Sequence, residues 1–445
     1  MYNSNHQTQT LRAALLLVLF IFGSLGLATD QKNDCKKNRW VDIWASMPQL
    51  TEPANLPPVP FNGTGVVFEN TTLRQTIRAT LPASTLRLQI SNAFGGSDLP
   101  VTAASIALSS NGSAGISSIK PGTARPLTFS GGSANFTIPQ GALVVSDPVL
   151  DFPVVAGSIV TISLYLAGGQ TTNSITSHPG SRTTSYSVRG NHVDATDLDI
   201  ADPTTQKADH WYFISTLSAY LPAAASSALV VVGDSISDGR GSTTNANDRW
   251  PDNLSKNLQA HGLTAGISVL NLAAGGNRVL NDGLGPNALG RIDRDVLSAS
   301  GVGYVLVYEG VNDIGTASVD PVSQASIGTR LIAAYDQIIT RLHARGVPVF
   351  GATITPFSGP GQTYSDPERE RTRQRVNAWI RDGGRFDAVV DFDAVVRNAT
   401  QPDQLAAEYN SGDYLHLNPA GYRAMGAGVD LTLFERFADG VDSMI

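Results

Sequence analysis

Cysteine is almost missing from this sequence: its 445 residues include one, Cys35. A single thiol excludes an internal disulfide and any metal site built on cysteine, so large hydrophobic cores must hold the fold. Cys35 reads as an incidental exposed thiol. Excess positive charge is also lacking. The formal net charge is -7, and no cluster of Lys and Arg could track a phosphate backbone, which argues against a nucleic-acid partner.

What is present begins with an apolar run. Arg12 precedes "AALLLVLFIFGSLGLA", which is short for a bilayer span and ends in small residues, so residues 1–28 read as a signal peptide cleaved near Ala28. A secreted, extracellular protein with no stable membrane insertion after cleavage is expected; an uncleaved anchor is the alternative. Asn-x-Ser/Thr sequons at Asn62, Asn70, Asn111, Asn135, Asn253 and Asn398 are glycosylation candidates that only a secretory route would use.

The length predicts two domains, and the periodicity changes where they should meet. From Trp40 to Tyr220 short runs alternate apolar and polar residues. In "TLRLQIS", Leu86, Leu88 and Ile90 fall on one side and Arg87 and Gln89 on the other; "VTISLYL" repeats this with Val160, Ile162, Leu164 and Leu166. Residues 29–222 therefore read as a β-sandwich or jelly-roll-like domain. After the Ala-rich junction "LPAAASSA", read as a linker, continuous apolar runs alternate with helical patterns over residues 223–445. "ALVVVG", "ISVLNLA", "GYVLVYEG", "VPVFGATI" and "FDAVVDF" are candidate strands, and Ile327, Leu331, Tyr335, Ile338 and Leu342 mark one face of a helix ending at Gly346. Strands buried on both faces are those of a doubly wound parallel sheet.

In such sheets ligands sit at the carboxyl ends of the strands. Those ends carry Gly233-Asp234-Ser235, Gly275-Gly276-Asn277 and Gly310-Val311-Asn312-Asp313, and a later segment carries Asp413 and His416. A serine hydroxyl needs a base, neutral imidazole is matched to that task, and a carboxylate three residues away could orient the ring. The Ser235 and Gly276 N–H groups and the Asn312 amide are candidate donors to an oxyanion. Each residue also has a bland reading: Ser235 as a helix cap, Asn312 and Asp313 as turn formers, Gly276 as turn geometry, and Asp413 as the cap of a helix after Pro419. Their joint occurrence at successive strand ends favours chemistry.

The blocks "GDSISDG", "NLAAGGNRVL", "YEGVNDIG" and "DYLHLNPAGY" resemble those of the GDSL or SGNH hydrolases, a superfamily of esterases and lipases, over roughly Ala228 to the C-terminus. The resemblance implies a flavodoxin-like α/β/α fold without a lid, Ser235 as nucleophile, Asp413 and His416 as its partners, and Ser235, Gly276 and Asn312 as the oxyanion hole. "WVDIWASMPQ", "TPF" and "VNAWIR" are similar to segments of its secreted two-domain members, whereas Leu417 stands where many members have proline. The absence of a Gly-x-Ser-x-Gly elbow argues separately against the common α/β-hydrolase fold.

The remaining histidines offer no metal pattern. His178, His192 and His210 are irregularly spaced in the β-rich half, and His261 and His343 fall at helix ends without an acidic partner at motif spacing. Trp250 and Tyr308 lie near the strand ends, as pocket lining or as packing. The expected function is a cofactor-independent serine ester hydrolase acting on acetylated carbohydrate or on lipid esters. An acyltransferase with the same residues is one alternative, and a non-catalytic carbohydrate- or surface-binding protein is another.

Overall fold

A computed structural model describes residues 38–63 and 65–443. The expected signal peptide and Cys35 lie outside the described residues.

Antiparallel strands build the amino-terminal half. One sheet orders Asn38–Ala45, Ile214–Pro222, Leu86–Ser91 and Leu143–Val145. A second orders Gln206–Ala208, Ser185–Arg189, Thr71–Arg78, Ile159–Leu166, Ala103–Leu108 and Arg125–Pro126, making a β-sandwich with the first. The alternation in Leu86–Ser91 is real: Leu86, Leu88 and Ile90 are buried and Arg87 and Gln89 half-buried. In Ile159–Leu166 it conceals burial on both faces, because Thr161 and Ser163 are buried as well. Arg74 explains this. Its guanidinium reaches Ser163 Oγ (3.1 Å) and the carbonyls of Ser117 (2.6 Å) and Ala195 (2.7 Å), tying loops across the outer face.

The second half is a five-stranded parallel sheet ordered Ile267–Ala273, Ser227–Gly233, Val302–Tyr308, Val349–Ala352, Ala388–Val390, flanked by helices. That is the 2-1-3-4-5 order of flavodoxin-like folds, with its switch point between the first and third strands in chain order. Leu229 to Val232 are fully buried, which is why they read as an unbroken apolar run. The helix read from Ile327 starts earlier, at Pro321, where the Asp320 side chain accepts from the Ser323 N–H.

The Ala-rich junction is shorter than a linker. Only residues 223–226 separate the Ile214–Pro222 strand from the Ser227–Gly233 strand. The strand Asn38–Ala45 then joins the halves through Asp42. Its N–H donates to the Ser300 carbonyl (2.9 Å), its carboxylate accepts from the Ser300 N–H (2.8 Å), and its carbonyl accepts from Ser268 Oγ (2.6 Å).

Candidate active site

Ser235 is the first residue of a one-turn helix, Ser235–Asp238, at the carboxyl end of the first parallel strand. The cap is its neighbour: the Asp234 side chain accepts from the Ile236 N–H at 2.9 Å. Ser235 is thereby released from capping, and its own N–H, like that of Gly276, has no partner among the described residues. Gly276 holds φ +72°, and a Cβ there would lie 2.5 Å from Leu284 Cδ1.

His416 Nε2 lies 2.7 Å from Ser235 Oγ, and His416 Nδ1 lies 2.6 Å from Asp413 Oδ2. The other carboxylate oxygen of Asp413 accepts the N–H groups of His416 (2.8 Å) and Leu415 (3.0 Å). Burial alone would raise the Asp413 pKa, but these hydrogen bonds outweigh it and hold the carboxyl below its usual range. An ionised carboxylate accepts only, so Nδ1 carries the ring proton and Nε2 is left to accept from Ser235. Burial lowers the His416 pKa, opposed by Asp413 and assisted by the nearby Arg240 and Arg182. Asp413 does not cap the following helix. Asn418 does, accepting from the Ala420 and Gly421 N–H groups. Leu417, the residue after His416, is fully buried.

Asn312 sits in the helix Val311–Thr316 after the third parallel strand. Its amide is fixed at both ends: Nδ2 donates to the Asn277 carbonyl at 2.9 Å and Oδ1 accepts from Tyr364 Oη at 3.0 Å. The second amide hydrogen of Asn312 has no partner among the described residues. Asp313 has a structural role, accepting the Val279 (2.8 Å) and Leu280 (3.0 Å) N–H groups and thereby pinning the loop after Gly276.

Ser235, Gly276, Asn312, Tyr364 and His416 line one cleft of about 480 Å³. A second lobe of about 470 Å³, bordered by Asp413 and Gln362, meets it at His416. Trp250 and Tyr308 border neither lobe. They are fully buried, packed edge to face with Phe392 (5.0 and 5.1 Å between ring centroids). Beneath the site, Glu309 is buried 3.6 Å from Arg291, and burial with the like charges of Asp313 and Asp238 pushes the Asp234 carboxyl up to about 7.

Two contributions were not legible in the motifs. Tyr364 orients Asn312 from 52 residues away. The β-rich half supplies His178, whose Nδ1 is 3.0 Å from the Met47 carbonyl and whose Nε2 is 2.8 Å from Asp238 Oδ1. The other Asp238 oxygen accepts the Gly275 N–H at 3.1 Å, so the β-rich half steadies the glycine pair beside Ser235. Asp238 stands three residues after Ser235 in "GDSISDG", the one local signal that could have pointed to it. Of the other histidines, His210 borders the cleft, with Nδ1 2.7 Å from the Pro179 carbonyl, and His192 bonds the Arg189 carbonyl at 2.9 Å. His343 and His261 do have acidic neighbours, Asp387 (2.9 Å) and Glu435 (4.0 Å), both far along the chain. No group of three or more His, Cys, Asp or Glu able to hold a metal occurs among the described residues.

Residues 231–424 match the family of GDSL-like lipases and acylhydrolases. This segment is a GDSL-like lipase/acylhydrolase domain. It makes the chain a carboxylic-ester hydrolase. No curated protein matches the chain. Among solved structures, the chain is similar to a GDSL-like lipase from Bacteroides thetaiotaomicron VPI-5482 (15% identity, 47% of this chain and 88% of that one, TM-score 0.34). It is also similar to an inhibitor-bound aryl esterase from M. smegmatis (16%, 48% and 100%, TM-score 0.36) and to an acetyl xylan esterase (18%, 45% and 96%, TM-score 0.33). The GDSL-like domain contains every candidate catalytic residue; the residues before it add His178, His210 and the rim of the cleft.

Proposed function

We propose that the chain is a secreted serine esterase working through an acyl-enzyme. Ser235 Oγ attacks the ester carbonyl while its proton passes to His416 Nε2, and Asp413 stabilises the imidazolium. The negative charge that forms on the carbonyl oxygen meets the N–H groups of Ser235 and Gly276 and the free amide hydrogen of Asn312. His416 returns the proton to the leaving oxygen as the ester C–O bond breaks. Water then repeats the sequence and releases the acid. The observation that carries this reading is the continuous chain Ser235 Oγ, His416 Nε2, His416 Nδ1, Asp413 Oδ2, with links of 2.7 and 2.6 Å.

Secretion is supported by the apolar amino terminus and by sequons whose asparagines stand exposed at Asn70, Asn111 and Asn135. Asn253 supports it least, since its amide donates to the carbonyls of Asp248 and Arg249 (both 3.0 Å). Among the described residues no helix is long and apolar enough to cross a membrane. The full chain, expressed in a eukaryotic host and recovered from the medium, should hydrolyse 4-nitrophenyl acetate and take a fluorophosphonate label. Ser235→Ala should do neither. Labelling of the variant at the normal rate would exclude the mechanism.

A further inference from the structure

The cleft is lined by two arginines that make no ion pair among the described residues. Arg182, from the β-rich half, and Arg240, five residues beyond Ser235, both line it. Neither guanidinium makes a hydrogen bond or ion pair among the described residues, and Arg182 Nε is buried without a partner. The acidic groups of the same cleft are already engaged. Glu52 accepts from Gln49 Nε2 (2.5 Å) and Asn55 Nδ2 (2.9 Å), and Asp238 is paired with His178. Asp413, on the second lobe, is held by His416. Those carboxylates keep their charge, but their oxygens are taken up, which leaves the two guanidiniums beside the reacting serine as charged donors without a partner among the described residues.

The backbone holds Arg182 in place. Its φ is +50°, a left-handed conformation that a bulky residue adopts only when its surroundings enforce it. Here Ser181 Oγ donates to the Thr183 carbonyl (2.9 Å), Thr183 Oγ1 donates to the Ser181 carbonyl (3.1 Å), and the Asn245 N–H donates to the Arg182 carbonyl (2.9 Å). Gly180, two residues before, packs so closely on the hydrolase half that a Cβ would lie 1.6 Å from Asp238 Oδ2. The loop is clamped on both sides of the arginine.

We infer that the enzyme prefers acyl esters whose alcohol or acid part carries a carboxylate or phosphate, seated between Arg182 and Arg240. This rests on the esterase reading above and names its substrate class. Guanidinium groups are suited to such anions because their forked N–H donors match two oxygens at once. The anion also bears on the chemistry. Both arginines disfavour the imidazolium form of His416, and an anion between them removes part of that opposition as His416 takes the serine proton.

The test compares matched pairs of acetyl esters: acetylated glucuronate with acetylated glucose, for a carboxylate source, and acetylated glycerol phosphate with acetylated glycerol, for a phosphate source. The wild-type enzyme should favour the anionic member of at least one pair by about tenfold in kcat/KM at low salt, with the preference shrinking toward physiological ionic strength. In Arg182→Gln/Arg240→Gln that ratio should fall to near one, and the acid limb of kcat/KM for the neutral ester should move to higher pH. The pair that discriminates identifies the source of the anion. Equal rates within both pairs, or a preference that survives in the double variant, overturn the inference and leave the esterase reading standing. Hydrolysis of 4-nitrophenyl acetate but of none of the four esters overturns the inference alone, and failure on 4-nitrophenyl acetate as well overturns both.

Discussion

Tyr364 tests whether the oxyanion donor on Asn312 is oriented rather than merely present. Tyr364→Phe removes one O–H donor and keeps the ring, which covers Gly315 and meets Phe357 edge to face at 6.4 Å. The lost bond, 3.0 Å to Asn312 Oδ1, joins neutral partners and contributes about 0.5–1.5 kcal/mol net. Without it the amide is held only by Nδ2 on the Asn277 carbonyl at 2.9 Å. A full flip would bring two acceptor oxygens together, so the amide should loosen and not invert. If the bond matters only when charge develops on the substrate oxygen, its loss appears in kcat and not in KM. At about 1.36 kcal/mol per tenfold in rate, kcat should drop about 2- to 13-fold. Asn312→Ala, which removes the donor itself, should cost about 100- to 1,000-fold. Steady-state kinetics on 4-nitrophenyl acetate separate these cases. A Tyr364→Phe enzyme with unchanged kcat would refute the orienting role, and one as impaired as Asn312→Ala would mean that the hydroxyl acts on substrate directly.

Two further outcomes follow from the electrostatics. Burial and the two arginines place the His416 pKa below its ordinary 6.5, and the neutral ring is the base. Activity should therefore be lost only as pH falls through that lowered value: kcat/KM for a neutral ester should rise along a limb centred below about 6.5 and stay flat above it, and a midpoint at or above 7 would contradict the assignment. His178→Ala strands the Asp238 carboxylate in a buried site, which costs about 3–5 kcal/mol in stability by denaturant unfolding. His178→Ala/Asp238→Ala should recover part of that stability but not kcat, since the Gly275 N–H stays without its acceptor; a stability loss below about 1 kcal/mol in the single variant would show that the pair bears little load.

The parallel half was legible because its physics is local. Strands buried on both faces are mainly apolar, so Ile267–Ala273 could be read to the residue even though it carries Ser268 and Asn271. The Pro321–His343 helix was read six residues short because its first turn faces solvent, with Val322 80% exposed, and lacks the apolar periodicity sought. The Asp320-Pro321 start signal was there to be used. Ser235 and Asn312 were legible because strand order forces successive strand ends to converge, whereas Asp413 and His416, in a later segment, were read from their three-residue spacing and the "DYLHLNPAGY" block. The partners of these residues were not. Tyr364 lies in a segment without regular structure, and His178, in the β-rich half, is 60 residues from Asp238. No periodicity encodes such pairs, because they depend on how the two halves dock.

That docking explains what the β-rich half does for a reaction whose candidate catalytic residues all lie outside it. A serine, a histidine and a carboxylate on one α/β domain suffice for acyl transfer to water, and neutral small esters need little more. Selectivity needs a second wall. The Thr176–His178 strand and the loop after it contribute three things in five residues: His178 on Asp238, Gly180 against the same carboxylate, and Arg182 in the cleft. The first two act on the loop carrying Gly276, the third on the substrate. A change in how the halves meet would therefore alter rate and specificity together, since one short segment touches both the oxyanion side of the site and its field. Loosening the interface at Asp42 should be felt less directly. Its bonds to Ser300 and Ser268 lie near the opposite, amino-terminal ends of the parallel strands, where ligands do not bind.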